Sequence, residues 1–364
     1  MKVGLIGLPG VGKSTLFRLL TGVAAPASVD RQRLPVGMAQ VPDRRIDRLT
    51  ELYNPKKTTY AALIVTELPA FVPKQNTPSG DAVRGVDIKG LVDHLRDVDA
   101  VVQVVRAFPD PATPHIFGAP DPARDFAVLT SELILTDWQL VQTRLERLRQ
   151  AKKRQPSHEA EVSALEKLGA ALEDERPAYA VDLSLEEAAA VQGYAFFTSK
   201  PLIVGLNVGD EDLASPGPRY DALKEAAERF RAPVVTFAAR VEAEILELDP
   251  ADRAAFMSDL GIAETGVERL ARAAYERLGL ISYFTVGEDE VRAWTIRKGA
   301  NAKEAAGAIH SDIARGFIRA EVASYDELIE AGGWNALKAK GRIRLEGRDY
   351  VVRDGDVMSF RFNV

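Results

Sequence analysis

Apolar and polar positions change period along the chain, and the changes mark its elements. Short apolar runs at 3–6, 62–65 and 100–105, bounded by turn residues, predict strands. Helical stretches beginning at Lys13 and near Gly90 separate them, so crossover connections and a mostly parallel sheet are expected. Over 125–174 leucines recur at helical spacing, with Arg, Lys and Glu between them. Pro156 interrupts this stretch and Ser157 can cap the next helix, which predicts a coiled-coil-like hairpin of two helices. Strand character returns at 201–206 and 232–237, with a helix between, and a helix over 266–278 closes the domain. The remaining residues, from Ile281, predict a compact α+β module. Its strands fall at 291–297, 317–322, 343–345 and 357–362, with a helix over 301–310 and a turn over 352–356.

A chain of 364 residues fits two or three packed domains. It has no cysteine, which removes disulfides, thiolate metal sites and thiol chemistry, and fits a cytoplasmic setting. Met1 runs directly into Lys2-Val3-Gly4-Leu5-Ile6, a strand pattern rather than an export signal. No apolar run reaches the roughly 18 to 20 residues of a membrane span, so no membrane contact is expected. A net charge of −6 argues against adhesion of the whole surface to nucleic acid. The stretch 139–155 is the exception: Arg144, Arg147, Arg149, Lys152, Lys153 and Arg154 face a single acid, Glu146. A solvated helix face and an RNA-binding patch both fit it.

Gly7-Leu8-Pro9-Gly10-Val11-Gly12-Lys13-Ser14 carries the Gly-x-x-x-x-Gly-Lys-Ser spacing between an apolar strand and a helix. Glycines let the backbone wrap closely around phosphates, and amides at the helix start point at negative charge. Lys13, read as an exposed loop lysine, is expected to reach the β and γ phosphates. Ser14 is expected to place its hydroxyl on Mg²⁺ and Thr15 to donate to the α-phosphate. Lys13 and Glu67 are the candidate catalytic groups, and Ser14 with Glu67 the candidate metal pair. Glu67 is the carboxylate at the tip of the neighbouring strand; a surface carboxylate in a remodelled loop fits it equally. His94, His115, His158 and His310 are too dispersed for a metal cluster, and Trp294 and Phe317 are expected to fill the C-terminal core.

The order of motifs resembles the YchF, or Obg-like ATPase, family of P-loop NTPases over nearly the whole chain. The likeness is strongest at Glu290-Val291-Arg292-Ala293-Trp294-Thr295-Ile296, Gly316-Phe317-Ile318-Arg319-Ala320-Glu321-Val322 and Leu345-Glu346-Gly347-Arg348-Asp349-Tyr350-Val351. It implies an α/β P-loop G domain over 1–123 and 198–280, a helical insertion over 124–197, and a C-terminal TGS-containing α+β domain over 281–364. It also implies hydrolysis of ATP or GTP, Mg²⁺ as cofactor, and the ribosome and its RNA as partners of a monomeric protein. Asn207, Val208 and Asp210, with Ala238 and Ala239, fall where the family binds the base, and Val208 replaces the lysine of guanine-specific sites. ATP and GTP both stay open.

The chain departs from the family's pattern in the base loop, where Ala238-Ala239-Arg240 stands for a Ser-Ala-Lys-like loop with its serine missing, in both switches and in the phosphate loop. Glu67-Leu68-Pro69-Ala70 replaces Asp-x-x-Gly, with Phe71 after it in the family's manner. No threonine is evident in the first switch over 28–37, and Gly10 stands where potassium-assisted relatives have Asn. A slow NTPase and a nucleotide-stabilised binding module with little or no hydrolysis are therefore the two functional expectations.

Overall fold

The parallel sheet forms from strands Lys2–Gly7, Ala62–Glu67, Ala100–Arg106, Leu202–Asn207 and Val234–Phe237, which pair in the same direction. Val36–Gln40 lies beside Ala62–Glu67 at one edge of this six-stranded sheet. The structure, a computed structural model, describes residues 1–23, 34–73, 86–87, 91–150, 157–213 and 217–363. Ala100–Arg106 and Leu202–Asn207 are buried at every position, so they read as near-continuous apolar runs, interrupted at Gln103 and closed by Arg106 and Asn207, rather than alternating ones. Parallel pairing sends Gly7, Glu67, Arg106, Asn207 and Phe237 to the same end of the sheet, where the connecting loops converge.

The expected hairpin consists of Pro122–Gln150 and Ser157–Glu173, and Pro156 lies outside the described residues. Leu129, Leu133, Val141, Leu145 and Leu148 are buried on the first helix, and Ala164, Leu165, Leu168 and Leu172 on the second. Each buried leucine contributes about 2 kcal/mol, whereas exposed ion pairs such as Arg149–Glu166 contribute at most about 1 kcal/mol. The apolar seam therefore holds the hairpin. Asp137 ties it to the sheet domain by accepting from the Phe197 and Thr198 amides at 2.9 and 2.7 Å. Burial raises the pKa of this carboxyl, and those amides pull it back.

Two compact units make up the chain: Met1–Gly37 with Ile64–Ala274, and Met38–Leu63 with Tyr275–Val364. The second unit holds a sheet in the order Arg344–Glu346, Phe317–Ser324, Asp356–Phe362, Leu280–Thr285, Glu290–Arg297, Lys57–Thr59. The sequence pattern located four of these strands to within two residues. It missed Leu280–Thr285 and the helices Tyr325–Ala331 and Trp334–Ala339. Helix Ala302–Ile309 covers one face through Ala302 and Ala305, against Ile281, Tyr283, Val322 and Met358. Trp294 and Phe317 pack on this core.

Residues 38–63 were expected in the first domain, yet they group with the C-terminal module. Lys57 to Thr59 pair with Glu290 to Arg292, and Arg45 pairs with Asp354 at 2.8 Å while stacking over the Phe284 ring. These are contacts between residues more than 200 positions apart, which no local pattern signals.

Candidate functional site

Gly7 ends the first strand and Lys13 begins helix Lys13–Thr21. Gly12, at φ 98°, supplies the left-handed turn between them that only glycine adopts without strain. Glycine is needed there for a second reason, since a Cβ would lie 2.4 Å from Asn207 Nδ2. The helix starts with no side-chain cap and no acidic residue in its first turn, so its first amides keep the electrostatics of an anion site.

Lys13, expected as an exposed loop lysine, is only 6% exposed. Its Nζ donates to the Gly7 carbonyl at 3.3 Å. Burial pushes the ammonium down from 10.5 to about 8, against the upward pull of Glu67. The loop folds back over its own lysine, which desolvates the charge before any phosphate arrives.

Ser14 Oγ donates to Glu67 Oε1 at 2.6 Å, bringing the candidate metal pair together. Glu67 is buried, and its Oε2 has no hydrogen-bond partner. A hydroxyl beside an orphaned carboxylate oxygen fits a hard, oxygen-seeking cation such as Mg²⁺. Leu68, Pro69 and Ala70 continue along the same cavity wall, while Phe71 is fully buried. Of the first switch, positions 28–33 lie outside the described residues.

Asn207 is a strut. Its Nδ2 donates to the Val11 carbonyl at 2.9 Å and its Oδ1 accepts from the Ala239 amide at 3.1 Å, so it ties the phosphate loop to the second loop. Asp210, offered as the base-reading carboxylate, pairs with Arg240. Beneath them Glu242 accepts from the amides of Ala238, Gly266 and Val267 at 3.2, 2.9 and 2.8 Å. Burial raises the Glu242 pKa despite these bonds.

Lys13, Ser14, Glu67, Asn207 and Asp210 line one cavity of about 1280 Å³, room for a nucleoside triphosphate, while Glu242 lies outside its lining. Leu8 through Thr15, Glu67, Asn207, Val208, Asp210 and Ala239 reach it, whereas Gly7 and Ala238 lie outside its lining. Sequence reasoning missed Arg106 and Glu242, and placed Arg240 only as the third residue of the base loop. A charged residue closing the apolar strand at 100–105 was the available signal for Arg106; nothing local marked the contacts of Glu242 with Gly266 and Val267. His115 is buried 2.9 Å from Asp125, with Nδ1 accepting from the Phe117 amide. Burial lowers its pKa, and Asp125 opposes the shift. No group of three or more metal-ligating side chains occurs among the described residues.

The basic stretch is less positive than its sequence suggests. Arg144 pairs with Glu161 at 2.8 Å and Arg149 with Glu166 at 3.5 Å, both acids coming from the second helix of the hairpin. Arg147 is exposed, and Lys152, Lys153 and Arg154 lie outside the described residues.

Residues 280–363 match the family model YchF-GTPase_C, described as a protein of unknown function (DUF933). The chain is 42% identical over 373 residues to a Bacillus subtilis protein named ribosome-binding ATPase YchF, covering 100% of both chains. An Escherichia coli O157:H7 protein of the same name is 38% identical, with 100% of this chain and 99% of that one aligned. The solved structure of the Schizosaccharomyces pombe YchF GTPase superposes with a TM-score of 0.84 at 30% identity, over 99% of this chain and 97% of that one.

Proposed function

The chain belongs to the YchF family, and on that premise we propose that it is a nucleoside triphosphatase, with ATP as the favoured nucleotide, that works on the ribosome in the cytoplasm. The observation that carries the proposal is the convergence of Lys13, Ser14, Glu67 and an uncapped helix start on one nucleotide-sized cavity. Relatives at 42% and 38% identity bear the name ribosome-binding ATPase, which supports both the activity and the partner.

In this reading the backbone of Gly10 to Thr15 wraps the phosphates and Lys13 neutralises charge on the β and γ groups. Ser14 and Glu67 would hold a divalent metal, Mg²⁺ by preference. The metal supplies further positive charge against the phosphate oxygens. Asn207 keeps the base loop in register with the phosphate loop, and Val208, Asp210 and Ala239 form the base end, with Ala238 buried outside the cavity lining. Val208 offers no lysine to stack on guanine, which supports ATP.

The nucleotide domain is proposed to comprise 1–123 and 198–280, with 124–197 as its insertion and 281–364 as the TGS-containing domain. Residues 38–63, which group with the C-terminal module, are the departure from that division. A second reading is a binding module with little turnover. It is favoured by Ala70, whose side chain crowds the backbone position where the family pattern has glycine.

Phosphate release by the purified chain, with ATP and with GTP, in the presence and absence of ribosomes, tests both readings. Turnover of ATP that ribosomes stimulate supports the first. Tight binding without turnover under all four conditions would establish the second, and absence of any nucleotide binding would overturn both.

A further inference from the structure

Arg106 closes strand Ala100–Arg106 and is 2% exposed. Its Nη1 donates to two carbonyl oxygens, those of Gly10 and Thr113, each at 3.0 Å. No carboxylate pairs with it among the described residues, and nearby Asp125 is engaged by His115 and Arg124. Its Nε is buried with no hydrogen-bond partner. The Phe108 ring, 5.8 Å from the guanidinium carbon, adds a weak cation–π contact but no counter-charge.

A guanidinium in this state is costly. Arginine cannot shed its proton, so burial cannot be relieved by neutralisation as it is in part for Lys13. Buried charges are ordinarily paired, and two neutral carbonyls supply hydrogen bonds without cancelling the charge. The missing partner is an anion. Arg106 lines the same cavity as Gly10 to Thr15, and a Cβ built on Gly10 would lie 3.8 Å from its Nη1. It therefore sits directly against the loop that wraps the phosphates.

We propose that Arg106 is a further phosphate-binding determinant, whose uncompensated charge is neutralised by the bound triphosphate and whose hydrogen bond fixes the Gly10 peptide. The inference rests on the nucleotide-binding reading above. It assigns the site two buried cations bonded to different carbonyls of the loop, Lys13 from the helix start to Gly7 and Arg106 from the neighbouring strand to Gly10. Both are held before ligand arrives, so neither must be ordered when it binds.

The test separates charge from packing. Arg106→Gln keeps an N–H donor for the two carbonyls and removes the charge, whereas Arg106→Lys keeps the charge and loses the planar fork. Calorimetric titration of the full chain with a non-hydrolysable ATP analogue and with ADP, both with Mg²⁺, gives affinities. Thermal unfolding of the nucleotide-free variants gives their stability. Arg106→Gln is expected to weaken the triphosphate at least about tenfold, as loss of a charge-assisted contact does. ADP should suffer less, the lysine variant should retain most of the affinity, and the nucleotide-free melting temperature of Arg106→Gln should match or exceed the parent's. A glutamine variant that binds ATP like the parent but melts lower would make Arg106 a strut and overturn the proposal. So would a lysine variant as weak as the glutamine one. If the parent itself binds no nucleotide, the underlying reading fails and takes this one with it.

Discussion

Raising the pH should weaken triphosphate binding through Lys13 alone. Its ammonium titrates at about 8 in the free protein because the loop buries it. A bound phosphate favours the charged form, so binding draws the pKa upward and takes up a proton wherever the free lysine is neutral. At a pKa of about 8, roughly nine-tenths of the molecules carry the charge at pH 7 and roughly one-tenth at pH 9. Affinity should therefore fall about tenfold over that interval, or about 1.4 kcal/mol. The phosphate's own last ionisation, at about 6, lies below the window. Calorimetry with a non-hydrolysable ATP analogue, repeated in buffers of different ionisation heat, should also detect uptake of about half a proton at pH 8. The stability of the free chain moves the other way. Its folded-state pKa lies below the unfolded value of 10.5, so the unfolded chain holds more protons from about 8 upward and Lys13 makes the fold more stable as pH rises. Constant affinity between pH 7 and 9, or an equal decline in Lys13→Met, would refute the reasoning.

The site implies three further outcomes. Glu67→Gln should raise the Mg²⁺ concentration needed for half-maximal ATP binding, since the orphaned Oε2 becomes an amide; an unchanged midpoint would remove Glu67 from the metal site. Glu242→Ala leaves three buried amides without an acceptor and should cost about 3 kcal/mol in denaturant unfolding, and a loss under about 1 kcal/mol would contradict the bonding described. Reversing Arg147, Lys152 and Lys153 to Glu should weaken cosedimentation with ribosomes and flatten its salt dependence, because phosphate contacts release counterions. Parental binding at every salt concentration would leave that stretch a solvated helix face.

What the sequence made legible is what its chemistry repeats locally. The phosphate loop, the buried strands and the helical hairpin each carry a spacing, a glycine or a period that physical rules can read. Asn207 was legible as a site residue, but its hydrogen bonds to Val11 and Ala239 depend on how two loops meet. Arg240 beside Asp210 and Glu242 beneath Gly266 and Val267 belong to the same class: each partner lies on another element, so neither charge announces its role in the linear order. The exposure assigned to Lys13 failed for a related reason. A loop that wraps phosphate closely also wraps its own lysine, and burial results from the turn at Gly12 rather than from polarity.

The strand Lys57–Thr59 gives the second unit a consequence in time. As the chain leaves a ribosome, residues 38–63 emerge early, and their sheet partner Glu290–Arg297 appears only after the whole first unit has been made. Until then the helix Arg44–Tyr53 holds an arginine, Arg45, whose distant partner Asp354 does not yet exist. Translation order therefore makes this unit the last to close. A chain truncated before Leu280 would leave Lys57–Thr59 without the strand it pairs with, while a fragment limited to 280–363 would expose the bare edge of Glu290–Arg297, a surface prone to pairing with other chains.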